Sequence, residues 1–122
     1  MMGVKVYCYD KCGTCRSMLK WMQAHNVEVT ENVPLFESPP TAGELAKLLR
    51  DSGLPIKKFF NTSGEVYKEM NLKDKLPGMT EEQMLALLAS NGRLIKRPIV
   101  TDGTRVTVGF KEDEFKDVWS KG

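Results

Sequence analysis

No apolar run in this chain approaches the ~20 residues that a membrane helix requires. Charge of one sign is also scarce in excess: 18 Lys+Arg face 16 Asp+Glu, a formal net charge of +2. That balance does not suit a general binder of nucleic acid. Cysteines number three, too few and too odd for a disulfide scaffold. There is a single histidine, no second C-x-x-C, no internal repeat and no low-complexity tract. No signal-peptide pattern precedes the first strand-like segment, so a cytoplasmic protein is expected. In a reducing cytosol its cysteines are thiols, catalytic groups or metal ligands.

What is present suits one globular domain. The 122 residues are 41% hydrophobic and 28% charged, close to the globular norm. A chain of this length can bury roughly two-thirds of its unfolded surface.

Val4 to Tyr9 reads as a buried strand. Cys15, Met18, Leu19 and Met22 follow at helical spacing, and that helix fades near His25-Asn26. Val27, Val29 and Val33 share one parity, as on a second strand. Strand, helix and strand in 33 residues predict a parallel βαβ unit. Ser38-Pro39-Pro40 then breaks the chain, and Thr41 with Glu44 forms a capping box, with Gly53 as the helix stop. Short helices are expected over Lys57 to Phe60 and from Val66 to about Leu72. A second capping box, Thr80 with Gln83, opens another helix. After Pro98 come a strand at Ile99-Val100, a turn at Asp102-Gly103 and a return strand carrying Val106, Val108 and Phe110. Phe115, Val118 and Trp119 stripe a last helix. The order is β-α-β, a helical block, then β-β-α, which without the block is the thioredoxin element order. The predicted class is α/β with a thioredoxin-like fold: one domain over 1–122, its core at 1–39 and 91–122, its helical insert at 40–90.

Chemistry concentrates in Cys12-Gly13-Thr14-Cys15. Both cysteines lie where a strand hands over to a helix, whose N-terminus stabilises a thiolate. Thiolates so placed, above all in C-x-x-C, can fall to a pKa of roughly 3.5–7.5. Cys15 lies on the apolar stripe and should be buried. Cys12 precedes the first turn and should be exposed. An exposed attacking thiol and a buried resolving thiol are what a dithiol reductase needs. The N–H groups of Gly13 and its neighbours, Thr14 among them, can form an anion-binding nest. Structural thiols and half a zinc site are the other readings. Zinc usually takes four ligands, and only Cys8 and His25 remain as soft candidates. Cys8 itself reads as a small buried hydrophobe.

Arg16 sits where the helix dipole disfavours a cation; it either holds an anion or is a solvated surface residue. Arg97-Pro98 opens a strand that, in a thioredoxin-like layout, faces the C-x-x-C loop, where a cis bond is expected. Arg97 could present its fork of donors to an oxyanion or carboxylate, or lie solvated in a turn. Arg105 is placed near the same end of the sheet, with a plain surface role as the alternative.

Four segments together resemble the arsenate reductase (ArsC)/Spx family. They are Tyr9-x-x-Cys12-x-x-Cys15-Arg16, Pro39-Pro40-Thr41-x-x-Glu44-Leu45, Leu94 to Val100, and Val108 to Asp113. The resemblance implies the thioredoxin-like fold with its inserted subdomain. It makes Cys12 the catalytic cysteine and Arg97, beside Pro98, the arginine that holds an oxyanion. Gly13, Thr14, Arg16, Pro98 and Arg105 are then the substrate-binding candidates. It implies a thiol–disulfide oxidoreductase acting on a small thiol or oxyanion, without a bound cofactor. Glutathione would be its reductant, glutaredoxin or thioredoxin its partner, and the chain a monomer. The alternative is an Spx-like redox-sensing regulator that binds the RNA polymerase α subunit. Asn61 stands where arsenate reductases carry an arginine, which weakens the case for arsenate. Pro55 at the position of the Spx glycine, and an end at Gly122, speak against the regulator.

Overall fold

A computed structural model describes residues 3–9 and 12–119. Strand β1 (Gly3–Cys8) leads into helix α1 (Gly13–Ala24) and strand β2 (Glu28–Pro34). Helices α2 (Ala42–Ser52), α3 (Glu65–Glu69), α4 (Leu72–Lys75) and α5 (Glu81–Ser90) follow. The chain closes with β3 (Ile99–Thr101), β4 (Val106–Val108) and α6 (Glu112–Val118). The sheet order is β2-β1-β3-β4. β1 and β2 run parallel, as the βαβ pattern predicts, and β3 runs antiparallel to both β1 and β4.

Each face of the sheet carries its own core. On one face, Val4, Val6 and Cys8 of β1 pack with Met18, Trp21 and Met22 of α1 and with Phe115 and Trp119. On the other, Tyr7, Ile99 and Val106 meet the helical segment through Leu45, Leu48, Phe59, Phe60 and Leu88. Alternation along β1 sorts its side chains between the two cores. Both capping boxes form: the Glu44 and Gln83 amides donate to the Thr41 and Thr80 hydroxyls at 3.1 Å. Gly53 ends α2 at φ +69°, a left-handed stop that glycine adopts without steric cost.

Three expectations need correction. Val29 and Val33 share parity but not a face: Val29 packs in the α1 core and Val33 against the helical side. The pairing with β1 slips by one residue between Val4 and Lys5, and a slip of one exchanges the faces. The helix expected from Val66 to Leu72 is two, α3 and α4, broken at Asn71, which sits at φ +55°. Phe110 does not continue β4. Gly109 at φ +86° turns the chain, and Phe110 packs edge-on against Phe115 at 4.8 Å in the opposite core.

Candidate active site

β1 ends at Cys8, and α1 begins after Cys12, so the thiols gather at the C-terminal end of β1. Because β1 and β3 are antiparallel, Tyr7 pairs with Ile99, and Ile99 in turn with Val108. Pro98 and Gly109 therefore come to the same end, joined by the Gly109 amide donating to the Pro98 carbonyl at 2.8 Å. The Arg97–Pro98 bond is cis. Arg97 is held from behind by the helical segment. The Lys96 amide donates to the Phe59 carbonyl and the Asn61 amide to the Leu94 carbonyl, both at 2.8 Å.

Cys12 is half-buried rather than exposed, and Cys15 is fully buried. Cys12 sits at the N-cap of α1 with its amide donating to the Tyr9 carbonyl at 2.9 Å. Its sulfur makes no capping bond, and no acid occupies the first turn. The helix terminus thus presents its partial positive charge with no competing carboxylate.

The three thiols form one cluster. Cys15 shares hydrogen bonds with Cys8 and with Cys12, and its sulfur accepts from the Tyr9 amide at 3.5 Å. The Cys8 bond is the leading influence on the Cys15 thiol. Burial opposes it, while Tyr9, Cys12 and the Arg97 charge assist, and the pKa of Cys15 settles at about 7. The same bond, with burial, drives Cys8 strongly upward, so Cys8 stays the proton donor of the pair. Reading Cys8 as a small hydrophobe is right about its burial and misses this role.

Cys12 opens onto a cleft of about 490 Å³. Thr14, Arg97 and Asn61 line it, with Lys58, Lys96 and Lys111 giving a positive wall against one acid, Glu114. Among the described residues, none of these four cations forms an ion pair. Asn61 thus stands in a cationic setting supplied by other residues, of which Lys96 and Lys111 carried no separate signal in the sequence. Arg97 lies 5.9 Å from the Tyr9 ring centroid and 5.1 Å from that of Phe36, two rings stacked at 4.1 Å. That shelf supports the guanidinium through its π faces. Gly13 is exposed, with open space where a Cβ would stand. Arg16 is exposed and is not part of the cleft wall.

Arg105 is at the other end of the sheet. Lys5 pairs with Thr101 and Thr101 with Val106, so the turn between β3 and β4 lies beside the N-terminal half of β1. There Arg105 donates to the Asp102 carboxylate at 2.8 and 3.1 Å and to the Val118 carbonyl at 2.6 Å, 5.0 Å above the Trp119 ring. Its work is to tie the hairpin to α6.

Asp102 is mostly buried and also accepts from the Thr104 and Arg105 amides at 3.0 and 2.8 Å. Burial raises its pKa, but these amide and side-chain bonds outweigh it and hold the carboxyl well below its ordinary range. A depressed folded-state pKa stabilises fully above the unfolded value of ~3.9. That stability is lost as pH falls from there through the folded value. Asp102→Ala is expected to cost about 1–2 kcal/mol at neutral pH and less at pH 3, measured by urea unfolding at both. An equal cost at the two pH values would contradict the assignment.

Among the described residues, no group of three or more His, Cys, Asp or Glu side chains is arranged to hold a metal ion. No helix among them is long and apolar enough to cross a membrane.

Known proteins are similar to this chain in sequence and in structure. The uncharacterised protein YusI of Bacillus subtilis (strain 168) is 54% identical over 119 residues, 98% of this chain and 100% of that protein. The regulatory protein MgsR of the same organism is 32% identical over 109 residues, 89% of this chain and 84% of that one. A crystal structure of a putative ArsC family related protein from Bacteroides fragilis superposes with a TM-score of 0.89. It has 48% identity, covering 93% of this chain and 95% of the other. The ArsC family profile matches residues 7–118. With its thioredoxin-like α/β fold and its C-x-x-C at the head of α1, this chain belongs to the ArsC family.

Proposed function

We propose that the protein is a thiol–disulfide oxidoreductase with Cys12 as nucleophile and Cys15 as resolving thiol. One observation carries the reading: a half-buried sulfur opening onto a cationic cleft is backed by a buried sulfur that the Cys8 thiol and the Tyr9 amide hold toward the thiolate.

The thiolate of Cys12 attacks one sulfur of a substrate disulfide R–S–S–R. A Cys12–S–S–R bond forms, and one RS⁻ leaves with the electron pair of the broken bond. Cys15 Sγ, as thiolate, then attacks Cys12 Sγ and expels the second RS⁻. The substrate has gained two electrons, and the protein holds a Cys12–Cys15 disulfide. An external thiol reductant, glutathione or a glutaredoxin- or thioredoxin-type dithiol, returns it to the dithiol form. Arg97 supports negative charge at the reacting sulfurs, and the Gly13 and Thr14 amides, at the head of α1, favour the leaving anion. The same cationic wall would accept an inorganic oxyanion in place of the disulfide.

The experiment uses Cys15→Ser. With resolution removed, the variant treated with a small disulfide should stop as Cys12–S–S–R, seen as one adduct by intact mass and assigned to Cys12 by peptide mapping. An adduct on Cys8, or none at all, would sink the assignment. The relative MgsR carries the name of a regulator. A regulator would form the same Cys12–Cys15 disulfide but would not turn over substrate, so sustained catalytic turnover separates the two readings.

A further inference from the structure

A second cleft, of about 220 Å³, shares Arg97 and Asn61 with the Cys12 cleft and adds Phe36, Arg93, Gly64 and Glu65. We propose that this cleft is a carboxylate subsite for the thiol or disulfide that reacts at Cys12, with Arg93 and Arg97 as the paired donors. The inference rests on the reductase reading and names its substrate class as an organic thiol or disulfide bearing a carboxylate.

Two guanidinium groups face the same ring: Arg93 lies 5.0 Å and Arg97 5.1 Å from the Phe36 centroid. Neither forms a hydrogen bond or ion pair through its side chain with any described residue, and Arg97 Nε is buried without a partner. Two like charges drawn to one ring repel each other, and an anion between them relieves that repulsion. Guanidinium forks match the planar geometry of a carboxylate with two parallel bonds.

The surroundings are built to the same end. The Arg93 amide donates to Asn91 Oδ1 at 2.9 Å, which fixes the base of its side chain. Gly64 leaves room for the Asn61 amide, since a Cβ there would stand 2.7 Å from Asn61 Nδ2. Phe36 and Val66 give the cleft apolar walls, which suit an organic end better than an inorganic anion. Glu65, exposed at the rim, disfavours a polyanion and offers a partner to an ammonium beside the carboxylate. Arg97 borders both clefts, so a ligand of peptide length, extending ~3.3–3.6 Å per residue, can lie in both at once.

The test compares Arg93→Ala with the parent on glutathione disulfide and bis(2-hydroxyethyl) disulfide. The expected result is a fall of about fivefold in the ratio of kcat/KM for glutathione disulfide to that for the neutral substrate. An unchanged ratio would overturn the subsite. Binding of S-methylglutathione, which cannot exchange, is followed by NMR titration in parallel. Saturable binding weakened by Arg93→Ala supports the subsite even if no disulfide is turned over, an outcome that would sink the reductase reading alone. No binding by the parent protein overturns the subsite.

Discussion

Gly92→Ala is expected to lower the melting temperature by about 10 °C or more. Gly92 lies in the short turn Gly92–Leu94 that carries the chain from α5 toward Arg97. A Cβ there would stand 1.9 Å from the Leu35 carbonyl oxygen and 2.6 Å from its carbon. Both are backbone atoms, so no side-chain rotation relieves the clash. Leu35 cannot retreat, because it is wholly buried and its amide is bonded to the Cys8 carbonyl at 2.9 Å. Overpacking of this kind costs roughly 3 kcal/mol or more, a large share of the ~5–15 kcal/mol that holds a domain together. Each kcal/mol moves Tm by several degrees in a chain of this size. Circular dichroism during heating reads the effect, and a Tm within two degrees of the parent would show that the turn yields.

Cys12→Ser is expected to abolish disulfide reduction, with a fall of at least about a thousandfold in kcat/KM, since a serine hydroxyl is a far weaker nucleophile than a thiolate. The buried Cys15 is a poor substitute, because its side chain presents no surface to substrate. Retained turnover in this variant would end the proposed mechanism. In the parent, the resolving step should speed up as pH rises through about 7, the Cys15 value, and level off above it, because the thiolate is the attacking form. Cys8→Ala removes the leading donor to Cys15, so the inflection should move to higher pH, and Cys8→Ser, which keeps a donor, should move it less. Rapid-mixing measurement of the release of the second thiol across pH 5–9 reads both. An inflection indifferent to Cys8 would show that the cluster does not tune the resolving sulfur.

Much of the scaffold was legible because its signals are local. The Thr41 and Thr80 boxes, the Gly53 stop and the stripe of Cys15, Met18 and Met22 each sit within a few residues. The Cys12 and Arg97 ends of the cleft were also within reach, since the thioredoxin-like order brings the start of β3 to the end of β1. What escaped depends on distant pairings. Arg105 reads from sequence as belonging to the thiol end of the sheet, and the antiparallel pairing of β1 with β3 puts it at the other. Nothing near Gly92 in the sequence shows that the Leu35 backbone crosses it. Cys8 looks like a packing residue until Cys15 is seen beside it, and Arg93 looks like a solvated turn arginine until Phe36 stands beneath it.

The slip in β2 has a further consequence. β2 is an outer strand of seven residues, mostly exposed, and no strand among the described residues pairs with its far edge. A regular, apolar rim of that length would invite sheet extension and fibre formation. Here the irregularity beside Thr30 interrupts the repeat of donors and acceptors, and Glu28 and Glu31 place negative charge along it. The rim is therefore a poor template for a second strand.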